Sequence, residues 1–299
     1  MSGNFRFTGG RIDRNCEINF TFNGQSMRGY LGDTLASALL ANKKHLVARS
    51  FKYHRPRGIF SAGSEEPNAL VTLVKDNHSE PNLRATTIEL YEGLEAKSQN
   101  HKGSLEFDLM RVNDFLSPFL SAGFYYKTFM WPKKFWEKLY EPVIRAAAGL
   151  GSLDMKSDPS VYDKGFLHCD LLIIGAGPAG LIAASEAANN GLKVLICDED
   201  FLLGGRLNSD EEKIEGLSSV AWVRKKIGEL ERLTNVRLMN RTTVYGAFDH
   251  GIFGALERKT DHIVNSHGKP RQVLWKVYSK RSLLCAGASE RGISFGNND

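Results

Sequence analysis

No stretch of this 299-residue sequence approaches the roughly 20 consecutive apolar residues that cross a bilayer as a helix. The opening MSGNFRFTGGR has neither an apolar targeting core nor a small-residue cleavage site, so a cytoplasmic chain without a membrane partner is expected. Cysteine is scarce. Cys16, Cys169, Cys197 and Cys285 are scattered with no C-x-x-C spacing, which argues against a disulfide framework and against a zinc or iron–sulfur site. Proline is sparse too, 9 residues against 29 glycines, and with 42% hydrophobic and 24% charged residues the composition excludes collagen-like, low-complexity and wholly disordered classes. No excess of one charge sign dominates, since 39 basic and 34 acidic residues leave a net of +5. The length suggests about two domains.

What is present is unevenly placed. Residues 41–58 carry Lys43, Lys44, Arg49, Lys52, Arg55 and Arg57 with no acid, interleaved with His45, Phe51, Tyr53 and His54. Such a run suits a partner surface or a cofactor phosphate. No helix-turn-helix, RNP or zinc-finger pattern accompanies it, so no nucleic-acid partner is expected. Residues 16–30 alternate apolar and polar around Asn23-Gly24, the signature of a hairpin. Asp33 or Thr34 can N-cap a helix in TLASALLANKK, the segment ALVTLVK is strand-like, and RATTIELY (84–91) suggests a further strand. Strand, strand, helix, loop, strand is a β-grasp order for residues 1–95. Residues 96–165 form an aromatic-rich linker, with Phe115, Phe119, Phe124, Tyr125, Tyr126, Phe129, Trp131, Phe135, Trp136 and Tyr140 packed into 115–140. Core of this chain, interface with another subunit, and interfacial helix all remain open for it.

The strongest motif lies in residues 169–200, CDLLIIGAGPAGLIAASEAANNGLKVLICDED. A buried strand meets Gly175-x-Gly177-x-x-Gly180, an Ala-rich helix follows, and a second strand ends at Asp198, an acid about 20 residues beyond the glycines. Gly175 permits the tight turn, Gly177 lets backbone approach a pyrophosphate, and Gly180 lets the helix sit close on the strand. The helix N-terminus then offers its free N–H groups and dipole to the phosphates, and Asp198 would accept from ribose hydroxyls. Asp198, Glu199 and Asp200 would repel a 2′-phosphate, and no Arg follows before Arg206, so NADP is disfavoured and FAD or NAD remains. The fold class expected is α/β, α+β overall: a β-grasp ferredoxin-like domain, then a Rossmann-type FAD/NAD-binding domain over 166–299 that stops where its second half should begin.

GAGPAG with Gly204-Gly205-Arg206-Leu207 resembles the nucleotide domain of glutathione-reductase-type flavoproteins, and SLLCAGASER (282–291) looks like their ATGA strand. Together with RSFKYHRPRGIFSAGSEEPNALV (49–71) and GFYYKTFMWP (123–132), these stretches resemble the α subunit of heterotetrameric sarcosine oxidases over essentially the whole chain, as that subunit's N-terminal third. The ferredoxin-like domains of related amine-oxidising subunits hold a [2Fe–2S] cluster through C-x4-C-x2-C. Here those positions fall on Ser61, Glu66 and Ala69, so the domain is expected to lack cluster ligands.

The resemblance implies a subunit of a complex that oxidises sarcosine to glycine with O2, giving H2O2 and formaldehyde, or methylene-tetrahydrofolate when folate is present. It implies NAD in this subunit, FMN and FAD held by or beside a partner β subunit, further γ and δ partners, and a tetrahydrofolate region beyond these residues. No catalytic residue is expected here. The NAD contacts it implies are Gly175, Gly177, Ala179, Gly180, Asp198, Glu199 and Arg206, with Tyr245 near the adenine. Two other readings stand beside it: a non-enzymatic fragment, and an α-type subunit of an opine-, proline- or glycine-oxidising complex. The isolated His54, His168 and His250 read as surface or satisfied core groups.

Overall fold

Asn23 and Gly24 both take positive φ, 51° and 76°, the type I′ pattern that matches strand twist, and they join β1 (Asp13–Phe22) to β2 (Gln25–Leu31) as the alternating pattern predicts. The helix Leu35–Ala41 follows, and Thr34 caps it in a capping box with Ser37. Asp33 does something else. Its buried carboxylate accepts both guanidinium nitrogens of Arg6 at 2.7 and 2.6 Å and the Ser37 hydroxyl at 2.6 Å. A two-residue ladder of β3 (Ala48–Arg49) with β4 (Pro56–Arg57) comes next, then β5 (Leu70–Lys75), β6 (His78–Arg84) and β7 (Leu94–Ser98). The sheet order is β2-β1-β7-β5-β6, with β1 and β7 parallel and β5 and β7 antiparallel, which is the β-grasp arrangement. Phe20, Phe22, Leu35, Leu39, Leu90 and Leu94 fill the core between sheet and helix.

The computed structural model describes residues 6–7, 9–75, 78–120, 123, 129, 131–147, 151, 153–263 and 268–288. They group into two units, Arg14–Ser157 and Asp158–Ser289, with Phe7–Asp13 grouped with the second.

One expectation changes in the first unit, and the structure sharpens two others. The strand expected at 84–91 is not there. Residues 85–93 instead cross as a turn whose amides bond to loops: Ala85 N–H to the Ala69 carbonyl and Leu90 N–H to the Asp33 carbonyl, both at 2.9 Å. Tertiary partners override the β propensity of Thr86, Thr87 and Ile88. The cation-rich run divides between core and surface. Arg49 is buried, and its guanidinium donates to the carbonyls of Leu105, His54 and Glu106 at 2.9, 3.1 and 3.0 Å. Arg55 pairs with Asp114 at 2.8 Å and lies over the Tyr53 ring. Lastly, burial in this chain's core does not account for the aromatic segment, because Phe115 is 83% and Trp131 81% exposed, and Phe119 and Phe135 are exposed as well. Phe124, Tyr125 and Tyr126 lie outside the described residues.

The second unit is built on β8 (Tyr162–Ile174), β9 (Val194–Cys197), a small hairpin of β10 (Lys213–Ile214) and β11 (Leu217–Ser218), β12 (Val236–Met239), β13 (Thr242–Phe248), β14 (Ile252–Arg258) and β15 (Gln272–Leu284). The six-stranded sheet runs β12-β9-β8-β15-β14-β13. β12, β9, β8 and β15 are parallel, while β14 and β13 add an antiparallel pair at the β15 edge. The helices Pro178–Asn189 and Ser219–Glu231 supply Leu181, Ala184, Trp222, Val223 and Leu230 to one core, against Ile173, Val194 and Ile196. A second core gathers Leu172, Leu195, Met239, Phe253 and Val277 with Cys169 and Cys197.

Burial pushes the Cys197 thiol up to about 12, and neighbouring Cys169 adds to the shift. Cys16 is exposed on β1. A thiol reagent at about pH 8 should therefore label Cys16 rapidly in the native chain, and Cys16→Ser should remove that fast phase. Cys197 should react only after unfolding; rapid native labelling of Cys197 would contradict the packing described.

Candidate dinucleotide site

The parallel strand order reverses at β8, whose neighbours are β9 on one side and β15 on the other, and the glycine turn leaves its carboxyl end at that switch point. Each glycine meets a different constraint. Gly175 has φ 103°, and a Cβ there would lie 2.4 Å from the Cys285 carbonyl oxygen. At Gly180 a Cβ would come within 1.9 Å of the Gly175 carbonyl oxygen, so only glycine lets the helix seat on the strand. Gly177, the helix N-cap, is the opposite case, with nothing within 4 Å of a Cβ position. Pro178 occupies the first helical position, where no N–H is needed, and the next amides of the first turn, beginning at Ala179, have no partner inside the helix. This open backbone at a helix N-terminus is a cradle of the kind that accepts a pyrophosphate.

The half-buried Asp198 closes the turn. Its Oδ2 accepts the Ala176 N–H at 2.6 Å and its Oδ1 the Asp200 N–H at 2.9 Å. Burial pushes the carboxyl up from its ordinary value; the two amides oppose that shift, and Glu199 adds to it. Thr242 N–H, at the start of β13, donates to the Asp198 carbonyl at 2.7 Å. The GGRL stretch packs on the same turn. Gly204 N–H donates to the Ala176 carbonyl at 2.9 Å, and a Cβ at Gly205 would stand 3.1 Å from Gly177 Cα.

The residues singled out from the sequence separate into two groups. Gly175, Gly177, Ala179, Gly180 and Asp198 stand together at the turn, and Glu199 follows Asp198 with an exposed side chain. Arg206 sits in the short turn Gly205–Asn208 beside Gly177, exposed, with Asp210 at 3.4 Å. Tyr245 does not reach this group. Its ring covers Gly254 and lines another cavity of about 500 Å3 with Phe166, Phe248 and Trp275. Cys285, whose carbonyl crowds Gly175, belongs to the SLLCAGASER stretch likened to the ATGA strand; sequence reasoning missed Arg258 of β14, which donates to the Glu199 carbonyl at 2.6 Å. An arginine therefore does stand beside the acids, brought there by the antiparallel pair and not by proximity in sequence. Among the histidines, His168 stacks on Tyr278 and shares a cavity with His250, while His54 is buried in the first unit.

The loop of the first unit where a cluster would sit is closed by a side chain. Glu66 is fully buried, and its Oε2 accepts the N–H groups of Phe60 and Ser61 at 2.7 and 2.6 Å. Its Oε1 accepts those of Asn68 and Ala69 at 2.7 and 3.0 Å. Among the described residues no three His, Cys, Asp or Glu side chains gather as a metal centre.

Fold and site define the class first: a ferredoxin-like β-grasp unit joined to a nucleotide-binding region of the FAD-dependent oxidoreductase type. Residues 15–101 match the family described as 2Fe-2S iron-sulfur cluster binding domain, and residues 170–222 match FAD dependent oxidoreductase. The particular likeness is to sarcosine oxidase subunit alpha. The chain is 54% identical over 292 residues to that subunit of Rhizobium meliloti (strain 1021), covering 97% of this chain and 30% of the relative. It is 34% identical over 297 residues to the subunit of Corynebacterium sp. (strain U-96), covering 97% and 26%. The chain thus resembles the N-terminal part of sarcosine oxidase alpha subunits, as its motifs imply, and spans less than a third of their length. The crystal structure of L-proline dehydrogenase from P. horikoshii shares the fold, with a TM-score of 0.59 at 22% identity over 96% of this chain and 44% of that one. Despite the matched description, the first unit does not fit an iron–sulfur cluster: Ser61, Glu66 and Ala69 stand at the ligand positions, and the Glu66 carboxylate fills the loop's donors.

Proposed function

We propose that this chain is the nucleotide-holding N-terminal part of an α-type subunit in a sarcosine-oxidising complex of the cytoplasm. The observation that carries the reading is the 54% identity running through both units to a sarcosine oxidase alpha subunit. The cofactor is NAD, with FAD as the alternative. Gly175, Gly177, Ala179 and Gly180 would hold its pyrophosphate, Asp198 and Glu199 its ribose, and Arg206 would border the phosphates. Tyr245 comes last among these contacts because its ring lies in a separate cavity. Bound NAD would serve here as a held structural group; amine oxidation by O2 belongs to the FMN and FAD of a partner β subunit. The exposed Phe115, Phe119 and Trp131 support a docking role for that β subunit. The γ and δ subunits and the tetrahydrofolate region complete the assembly.

Two measurements test this. The purified chain, denatured and analysed by mass spectrometry, should release NAD and show no flavin absorbance. By itself it should produce no H2O2 from sarcosine, whereas the full-length subunit co-expressed with its partners should. Release of FAD would move the chemistry into this chain and overturn the NAD assignment. A chain that never retains a nucleotide, with or without partners, would favour the non-enzymatic fragment.

A further inference from the structure

The six-stranded sheet of the second unit is hollow on one face. Register partners in neighbouring strands direct their side chains to the same side, and one such row runs Phe166 of β8, Lys276 of β15, Gly254 of β14 and Gly246 of β13. The two glycines leave the floor of that row low, and aromatic rings lie over them. A Cβ at Gly254 would run into the Tyr245 ring, and one at Gly246 would stand 3.0 Å from the Phe248 ring. Adjacent strands lie about 4.8 Å apart, so the whole row spans roughly 15 Å. Here lies the cavity of about 500 Å3 that Tyr245 lines, within the roughly 300–1,000 Å3 of small-molecule sites.

Phe166, Tyr245 and Phe248 are each more than half exposed, so their rings are open to a ligand. Leu274, two residues before Lys276 on the same face, adds an exposed aliphatic group, and Lys164, its register partner on β8, adds a second ammonium. The charge is of one sign. Among the described residues no aspartate or glutamate lines the cavity, and neither Lys164 nor Lys276 has a carboxylate partner. The Lys276 ammonium lies instead over the Tyr278 ring, 5.6 Å from its centroid. Other exposed lysines of this unit are paired, Lys280 with Asp170 and Lys259 with Glu257. Open rings favour a planar aromatic partner by offset or edge-to-face stacking, and two ammonium groups beside them favour an anion. An alkyl acid would use the second feature alone, and a neutral arene only the first.

We propose that this hollow binds a planar aromatic carboxylate, its ring stacked among Phe166, Tyr245 and Phe248 and its carboxylate held by Lys164 and Lys276. The inference stands apart from the glycine turn and from the nucleotide held there. It is tested on the intact 299-residue chain with sodium 2-naphthoate as the probe, followed by its fluorescence and by calorimetry. One equivalent should bind saturably. The uncharged 2-naphthamide should bind about 3–10-fold more weakly, and Lys164→Met with Lys276→Met should cost the same factor, the range for two exposed ion pairs. The double variant should also lose the salt dependence of binding. Phe166→Ser should weaken binding about tenfold with an unchanged circular dichroism spectrum, because the ring it removes is exposed. Phe115→Ser, at an exposed ring of the first unit, should leave binding unchanged. No saturable binding up to about 5 mM, decanoate or 2-naphthamide binding as tightly as 2-naphthoate, or full affinity in Phe166→Ser would each overturn the proposal. So would a concentration-dependent dimer that Phe166→Ser abolishes and 2-naphthoate does not inhibit, which would assign the face to a second copy of the chain.

Discussion

Glu66→Gln is expected to destabilise the first unit by about 3–5 kcal/mol, a large share of the roughly 5–15 kcal/mol that holds a domain together. The buried carboxylate accepts four backbone N–H groups, two at each oxygen. Glutamine keeps one acceptor and turns an NH2 toward the other pair, so two buried donors face a donor and each loses a charge-assisted bond of about 1.5–3 kcal/mol. For a unit of this size the loss corresponds to a fall in the unfolding midpoint of at least about 12 °C by circular dichroism. The same loop in a cluster-bearing ferredoxin would be organised around an iron–sulfur centre; here one side chain supplies the anion. A loss below about 1 kcal/mol would show that the carboxylate does not organise the loop.

Gly180→Ala should be the most damaging single change in the second unit. Its methyl would stand 1.9 Å from the Gly175 carbonyl oxygen, a backbone atom that cannot rotate away. The helix Pro178–Asn189 must move off β8, opening the packing of Leu181 and Ala184 on Ile173. The expected loss is about 2–4 kcal/mol, slightly above the usual 1–3 for overpacking because the obstacle is backbone. Nucleotide retention should fall at least about tenfold, since the cradle amides move with the helix. Gly177→Ala separates the two effects. Its Cβ meets nothing in the protein, so stability should change by less than about 1 kcal/mol while retention falls, because the methyl enters the space the pyrophosphate would use. Equal stability of Gly180→Ala and the parent in denaturant would refute this account of the turn.

Legibility of the fold in the sequence tracked how local each signal was. Asn23-Gly24, Thr34 and the GAGPAG turn act within a few residues, and the structure has a type I′ hairpin, an N-cap and a strand–turn–helix at those places. The strand set at 84–91 failed because Ala85 and Leu90 find loop carbonyls, which no window of neighbours could reveal. Charge counting in the cation-rich run likewise cannot tell that Arg49 turns inward to three carbonyls while Arg55 pairs at the surface. At the glycine turn the motif located Gly175, Gly180 and Asp198, but Arg258 reaches Glu199 only through the pairing of β14 with β15.

By itself, the sequence determined the two kinds of architecture and the place of the glycine turn, because these depend on residue type and short spacing; that Ser61, Glu66 and Ala69 fall at cluster-ligand positions is what the family resemblance implies. Tertiary structure alone decided that Glu66 takes the place of an organising anion, that Tyr245 leaves the turn for a separate cavity, and that His54 and the Lys102 amide meet at the Asp108 carboxylate. Those outcomes rest on hydrogen-bond partners far apart along the chain, and such partners are chosen only when the sheet register and loop packing bring them within 3 Å of one another.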